Sequence, residues 1–448
     1  MYNYAHRDLF YRDELDDYIV LSTEILVDEE NKEYETIYIT PDDIEEGTFE
    51  FYESITDSES FNLQNCRSSY VQFTTFNTEY SFYGCWFEMT KVIVRDAENE
   101  IYDEIPLGYF YVVEDNLSRD GMTQDIVAYD SLYFVINTNP EQIKTIYNSI
   151  NFPCTIKDLR DNFFNAFDIE QDNVALINDD IVIPKQLSDE DLVSGDMIVK
   201  MIAELNAVFP HIGKDGLLTW VRLDVGDPFE RGLYPGFYPS EHAYPGTGYP
   251  GYHLNIYKEQ YIEDSVIWAN YSTMKPDGIQ IRDENNNIAY FANSENSKNP
   301  YIIINNFLCY GLSYGQYQQI AERLYKRIKH ISYVPFEMQK MADPCIEVGD
   351  RVLVHTQENV LFVSYIFNKH TSEVRNQFED IQTSGTYDLS QYDINTNTTA
   401  AKVKNLDNRV GNIEKSGSGP LQIVSVAVLP DNPQLNVLYL IQGEVTVT

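Results

Sequence analysis

From Asp17 to about Ile136 the chain consists of short runs of Val, Ile, Tyr, Phe and Thr broken by polar turns, and this rhythm limits the fold more than any other feature. β-branched and aromatic side chains suit a pleated, half-buried surface, and turns this closely spaced leave little room for helix. Residues 91–105 read as two extended arms around a polar turn, and residues 108–113 and 125–130 supply two more. The spacing suggests a barrel or a sandwich, and residues 1–136 are expected to form a first β-barrel-like domain.

The period then changes. Thr155 can cap a helix through Asp158, with Ile156, Leu159, Phe163 and Phe167 on one face, and a second helix after Ser194 carries Ile198, Met201, Ile202, Leu205 and Phe209. Residues 137–225 are therefore expected to be an α/β region. Residues 226–255 form a Tyr-Pro-Gly loop with Tyr-Pro four times, at Tyr234, Tyr238, Tyr244 and Tyr249. Proline removes ladder donors and fixes φ, which excludes a helix or a central strand. These tyrosines are a possible contact loop, an aromatic arm that seats in a neighbouring subunit or grips sugar rings. The alternative is a surface loop whose tyrosines lie on their own domain.

Strand-like runs resume at Asp264 and again on either side of an Asp283–Asn287 turn, within a second β-barrel-like domain over 256–385. Its helix, expected over 313–331, starts at a capping box of Ser313 with Gln316 and buries Ile320, Leu324 and Ile328. Arg323, Lys326, Arg327 and Lys329 load its C-terminal half and complement its dipole. In so acidic a chain they are expected to be a solvated face paired with nearby acids.

Residues 386–419 read as a linker and a short coiled coil. Val403, Leu406, Val410 and Ile413 make an a/d seam, which places Lys402 and Arg409 at g, and Asp407 and Glu414 at e. In a parallel assembly Lys402 meets Asp407 and Arg409 meets Glu414, both opposite in sign, so these eight residues are the candidate self-association site. The other reading is an amphipathic helix lying on its own domain. Residues 420–448 read as a small β cap module, too short to bury a core unless it packs on copies of itself. The fold class expected is thus mixed α+β and β-rich: two β-barrel-like domains with an α/β region between them, then a short parallel coiled coil and a small C-terminal β segment.

Charge narrows the partners. With 71 acidic residues against 31 Lys and Arg in 448, the net charge is −40, and such a surface repels nucleic acid and anionic lipid. Proteins or neutral ligands are the expected partners, and 35 tyrosines favour strands and interfaces. The amino terminus lacks the pattern of a secretory leader and no run approaches the roughly 18 apolar residues of a membrane span, so a chain made and kept soluble is expected. The five cysteines, Cys66, Cys85, Cys154, Cys309 and Cys345, lie in or beside apolar segments and form no disulfide or zinc pattern, so buried thiols are expected.

An enzyme needs a constellation of groups. The sequence has no GxSxG elbow, HExxH helix, Walker A loop or strand-to-helix GxGxxG, and its seven histidines have no metal-site spacing. The Asp283 segment lacks the glycine and closing Glu of a calcium loop and reads as a hairpin turn. No catalytic residue, cofactor or metal is expected.

The order of several segments resembles the tail-hub or baseplate-hub proteins of tailed bacteriophages and related prophage particles, including the amino-terminal part of tail-associated proteins. It rests on Leu107–Glu114 leading to Ile126–Leu132, on the helix beginning at Thr155, and on Ile303–Leu308 followed by the capped helix and Tyr333–Phe336. Its most specific part is Asp343–Val354, similar to that family's DP-x-hydrophobic-E-x-GD signature. The resemblance spans about residues 60–370 and includes the Tyr-Pro loop. It implies a homotrimer whose two barrel domains per subunit give six similar docking surfaces, joining a six-fold tail tube to a three-fold tip. The partners implied are the tail tube or a distal tail protein, the tape-measure protein, and a spike, fibre or other tip protein. The location implied is the virion tail tip or baseplate, after synthesis in the bacterial cytoplasm, and acidic walls suit a channel that passes DNA without binding it. Longer relatives continue into a hydrolase or receptor-binding region; this chain stops at Thr448, so wall digestion is not expected. A receptor- or carbohydrate-binding tail protein is the alternative function, and a cell-wall hydrolase the third.

Overall fold

The computed structural model describes residues 16–28, 32–56, 61–96, 101–184, 194–223, 254–293, 297–375, 377–385, 422–426 and 437–441. Seven strands come first: β1 (Asp16–Asp28), β2 (Glu33–Ile39), β3 (Glu50–Ser54), β4 (Tyr70–Thr75), β5 (Trp86–Asp96), β6 (Ile101–Leu117) and β7 (Gln124–Tyr129). Along β3 and β4 every second residue is buried, as the two-residue side-chain period of a strand requires. Phe51, Val71, Phe73, Phe87, Phe110 and Ile126 meet in one of two hydrophobic cores.

Helices follow: α1 (Leu132–Asn137), α2 (Pro140–Ser149), α3 (Ile156–Asn165) and α4 (Gly195–Asn206), with the short strands β8 (Cys154–Thr155), β9 (Val182–Ile183), β10 (Phe209–Ile212) and β11 (Leu218–Val221). The remaining elements are β12 (Leu254–Ile256), β13 (Ile267–Trp268), β14 (Gly278–Arg282), β15 (Ile288–Ala292), β16 (Pro300–Ile303), α5 (Tyr314–Ile328), β17 (Phe336–Met341), β18 (Arg351–His355), β19 (Leu361–Tyr365), β20 (Asn368–Ser372), β21 (Phe378–Thr383), β22 (Gln422–Val426) and β23 (Val437–Ile441).

The caps are formed as the spacing predicts. Thr155 and Asp158 make a reciprocal capping box at α3, as do Ser313 and Gln316 at α5. Ile320, Leu324 and Ile328 of α5 are fully buried. Burial of such side chains contributes roughly 1.5–3 kcal/mol each, against about 1 kcal/mol for a cap. Burial therefore decides where α5 lies and the cap decides where it starts.

The β-rich class holds, and one sheet draws strands from both strand-rich regions. One antiparallel sheet of eleven strands runs β13-β17-β21-β20-β3-β4-β7-β6-β5-β1-β2. Its join is β3 with β20, in register from Ser54 opposite Asn368 to Glu50 opposite Ser372. Past β20 the chain also reaches β1: the Ile19 N–H donates to the Val374 carbonyl at 2.9 Å, and Tyr18 bridges Arg375. Val374 belongs to the same core as Phe51 and Phe87, so residues more than 300 positions apart complete one hydrophobic interior. The segment 343–354 feeds β18, which lies in a three-stranded sheet between β12 and β19. A further sheet, β15-β14-β16, carries α5, and the larger core links α3, α4, α5, β14 and β18 to Phe336, Met338 and Ile381 of the eleven-stranded sheet.

Local departures have local causes. The helix after Ser194 stops at Asn206 because Ala207 adopts φ 52° and Val208 closes the end on the Ala203 carbonyl, so Phe209 begins β10. Phe167 lies past the end of α3 but still packs on the core. α1 and α2 precede the two helices read from the sequence; the Asn139 side chain caps α2 and Pro140 occupies its first turn. The strand expected from Asp264 shrinks to Ile267–Trp268 at a sheet edge. The Asp283 turn is the expected hairpin: its carboxylate accepts from the N–H groups of Asn285 and Asn287, and Asn286 takes φ 62°.

Candidate functional site: a buried ionic seam and an outward aromatic row

The four tyrosines of the Tyr-Pro loop (Tyr234, Tyr238, Tyr244, Tyr249) and the coiled-coil set (Lys402, Val403, Leu406, Asp407, Arg409, Val410, Ile413, Glu414) lie outside the described residues. Of the cap module, β22 and β23 are described and pair in parallel. Arg323 pairs with Asp180 and donates to the Ile177 carbonyl at 2.7 Å, so it is tied to its own chain. All five cysteines are free; Cys85 is half-buried and the others are buried. Among the described residues no group of three or more His, Cys, Asp or Glu side chains is placed to hold a metal ion, and no helix is long and apolar enough to cross a membrane.

What the fold does assemble is a line of buried charges along the join of the sheet. Lys340 on β17 lies 2.7 Å from Glu379 on β21, both fully buried. Lys369 on β20 lies 3.4 Å from Glu379 and 3.5 Å from Glu53 on β3. His211 on β10 lies 4.0 Å from Glu53. At the other end Lys91 on β5 lies 2.6 Å from Asp17 on β1 and donates to the Gln377 amide oxygen at 2.7 Å. Burial alone pulls the Lys369 ammonium down, but the carboxylates of Glu379, Glu53, Asp343 and Glu347 outweigh it and hold the pKa above its ordinary value. For Lys91 burial wins and the pKa is lowered, with Asp17 opposing.

The signature segment folds against this seam. The Asp343 carboxylate accepts from the Cys345 N–H at 2.9 Å, and the Asp350 carboxylate accepts from the Glu347 N–H at 2.9 Å, so the two aspartates shape a turn. The Ile346 carbonyl accepts from the Lys369 ammonium at 3.0 Å. Lys214 donates to the Pro344 carbonyl and pairs with Glu347 at 3.2 Å. Gly349 has φ 90°, and a Cβ there would collide with the Val221 side chain, so no other residue fits the turn. The residue types of the signature are accounted for by packing at the join.

A second buried carboxylate is handled differently. Glu204 on α4 is 1% exposed and has only neutral donors: the Asn306 and Gln64 amides at 2.8 Å each and the Tyr301 hydroxyl at 3.2 Å. Burial pushes its pKa up to about 7, although the three hydrogen bonds act to lower it.

The outward face of the large sheet carries an aromatic row. His370, Tyr52, Tyr70, Tyr129, Tyr111 and Trp86 stand directly opposite one another on six consecutive strands, β20-β3-β4-β7-β6-β5. Ring centroids are 4.0 Å apart for Tyr52 and His370, 4.6 Å for Tyr52 and Tyr70, and 5.4 Å for Tyr70 and Tyr129. Tyr133 and Phe134 of α1 bridge Tyr129 to Tyr111, and Tyr111 contacts Trp86 at 5.4 Å. Burial, then Glu50 beside it, pushes the Tyr52 hydroxyl up to about 12. Sequence reading missed the row because its members are scattered from residue 52 to residue 370; the only signal was the tyrosine count.

No family model matches the chain, and no curated protein matches it. Solved structures do. A tail protein from Neisseria meningitidis MC58 superposes with a TM-score of 0.45 at 8% identity, covering 83% of this chain and 98% of that one. Prophage tail protein gp18 from Listeria monocytogenes EGD-e gives 0.44 at 10% identity over 88% and 99% of the two chains. The prophage MuSo2 43 kDa tail protein from Shewanella oneidensis gives 0.42 at 12% over 82% and 97%. Phage tail proteins and baseplate components are thus the structural neighbours of a chain whose segments, read in order, resemble the tail- and baseplate-hub proteins of tailed phages.

Proposed function

We propose that this chain is a structural tail protein of a phage or prophage particle: a trimeric hub that joins a six-fold tail tube to a three-fold tip, lines or closes the DNA channel, and catalyses nothing. The observation that carries this reading is the continuity of the eleven-stranded sheet across both strand-rich regions, tied along its join by buried opposite charges. An adaptor has to hold two sets of docking surfaces at a fixed angle. A shared sheet with a charge-locked seam does this, whereas two sheets on a linker swing relative to each other. The signature segment supports the reading because it packs on that seam, and the net charge of −40 suits a wall that DNA passes without adhering. In this reading each subunit offers two barrel-like units to the tail tube or a distal tail protein, a short parallel coiled coil within the linker region 386–419 helps hold the trimer, and the cap module meets a spike, fibre or other tip protein. The tape-measure protein occupies the lumen.

Light scattering on the full chain over a range of concentrations tests the proposal. A mass near three times 51.9 kDa, about 156 kDa, that drops when the chain is cut after Gln391, is the expected result. A monomer at every concentration sinks the self-assembling trimer, and clearing of a cell-wall zymogram by the pure protein sinks the non-enzymatic reading.

A further inference from the structure

The aromatic row has two properties that define what can bind it. The Tyr52 ring lies 5° from parallel with His370 and 18° from parallel with Tyr70, so these rings stack face to face across strands and stand on edge from the sheet. Their flat faces are used on each other. Sugars and nucleobases stack on an open ring face, and both faces of Tyr52 are taken, one by His370 and one by Tyr70. The second property is charge. Glu50 accepts from the Tyr52 hydroxyl at 3.3 Å and from the Gln72 amide at 2.5 Å, while Asp380, paired opposite His370 on β21, lies 3.6 Å from its ring nitrogen. One step along the strands, Glu88 accepts from the Tyr109 hydroxyl at 3.2 Å. The outward positions two residues from the row on β3, β4, β5 and β6 include Glu50, Gln72, Glu88 and Tyr109, and no basic residue is among them. Half-buried phenol oxygens beside carboxylates concentrate negative potential, which repels phosphate-bearing ligands and attracts cationic hydrogen-bond donors.

We propose that the end of the row from Tyr70 to His370, which α1 leaves free of ring contacts, is a docking surface for a protein segment bearing arginines, whose guanidinium groups bond to Glu50, Asp380 and the hydroxyls of Tyr52 and Tyr70. Arginine suits the site better than lysine, because its planar fork spans a carboxylate and a neighbouring phenol oxygen together. The inference supplies the partner chemistry for the adaptor reading and rests on that reading for the partner's place in a tail. The two fail separately, since the mass of the assembly and the titration below are independent.

The test is a fluorescence-anisotropy titration of the full chain with a short labelled peptide of alternating glycine and arginine, against its citrulline counterpart. The arginine peptide is expected to bind at least about tenfold more tightly than the citrulline one. Glu50→Gln with Asp380→Asn is expected to weaken it by about tenfold, and Tyr52→Phe with Tyr70→Phe, which keeps the stacks and removes the oxygens, by about threefold. Glu284→Gln with Glu322→Gln removes the same charge from exposed sites on the hairpin and α5 and is expected to change binding by less than about twofold. Unchanged far-ultraviolet dichroism and melting keep the variants comparable. Equal losses in the two charge-removal pairs, equal affinity for the citrulline peptide, or no binding at all overturns the proposal.

Discussion

Two buried carboxylates in this chain meet the same cost of desolvation by opposite means. Glu379 lies between two lysines, Lys340 and Lys369, and its seam joins strands from both halves of the sheet. Glu204 lies among two amides and a phenol that tie α4 to the segments around Gln64 and Asn306, with no cation in contact. Glu379 is answered by two cations on neighbouring strands. A charge answered only by neutral donors keeps the option of taking a proton. The first arrangement locks the geometry of the sheet, while the second makes the packing of α4 sensitive to pH.

The largest effect should come from breaking the lock. Lys340→Met leaves Glu379 with half its compensation, and the expected loss is about 3–5 kcal/mol of unfolding free energy, readable in denaturant titrations. Adding Glu379→Leu removes the orphaned charge and should recover part of that loss, since Lys369 keeps Glu53. A double variant no better than the single one would mean that the seam contributes through packing rather than charge.

Next in size is the pH dependence of the Glu204 site. Its folded-state pKa is raised from 4.5 to about 7, so its contribution is complete below pH 4.5 and is lost as pH rises through 7. Ionisation in place should cost roughly 3 kcal/mol. Glu204→Gln should therefore gain on the wild type as pH rises from 5 to 8, and a gap between the two that does not change with pH would falsify the titration. A sharper form uses Asn306→Ala. With one of three donors gone, the variant should lose about 1–3 kcal/mol at pH 8 and clearly less at pH 5, where the protonated acid needs fewer donors.

At the small end, Arg375 and Asp42 lie 2.9 Å apart with both side chains more than half exposed. Water and salt screen such a pair, so Asp42→Asn should change stability by no more than about 0.5 kcal/mol. A loss comparable to that of Lys340→Met would erase the distinction between exposed and buried pairs.

Local signals in the sequence were legible where the physics is local. The capping boxes at Thr155 and Ser313, the buried stripe of α5, the Asp283 hairpin and the arms of β5 and β6 each depend on residues within a few positions of one another. Boundaries failed where a distant partner or an unusual backbone intervened. Ala207 ends α4 through a left-handed φ that its side chain does not advertise, α1 at six residues is too short to show a full apolar period, and α2 buries only Ile143 and Tyr147. The signature segment was visible as a pattern, but its packing on Lys369 was not, because that lysine is as ordinary in sequence as any other.

By itself, then, the sequence determined the strand-rich class, the main helix starts, the free cysteines and the acidic surface, since each follows from composition or from spacing within one element. Only the tertiary structure decided that the two strand-rich regions share a sheet, that Val374 closes the core begun by Ile19, and that four tyrosines from four strands line up with a histidine and a tryptophan in one row. Cross-strand register is set by pairing energies summed over whole strands and by the burial of both sheet faces, and no window of neighbouring residues contains those terms.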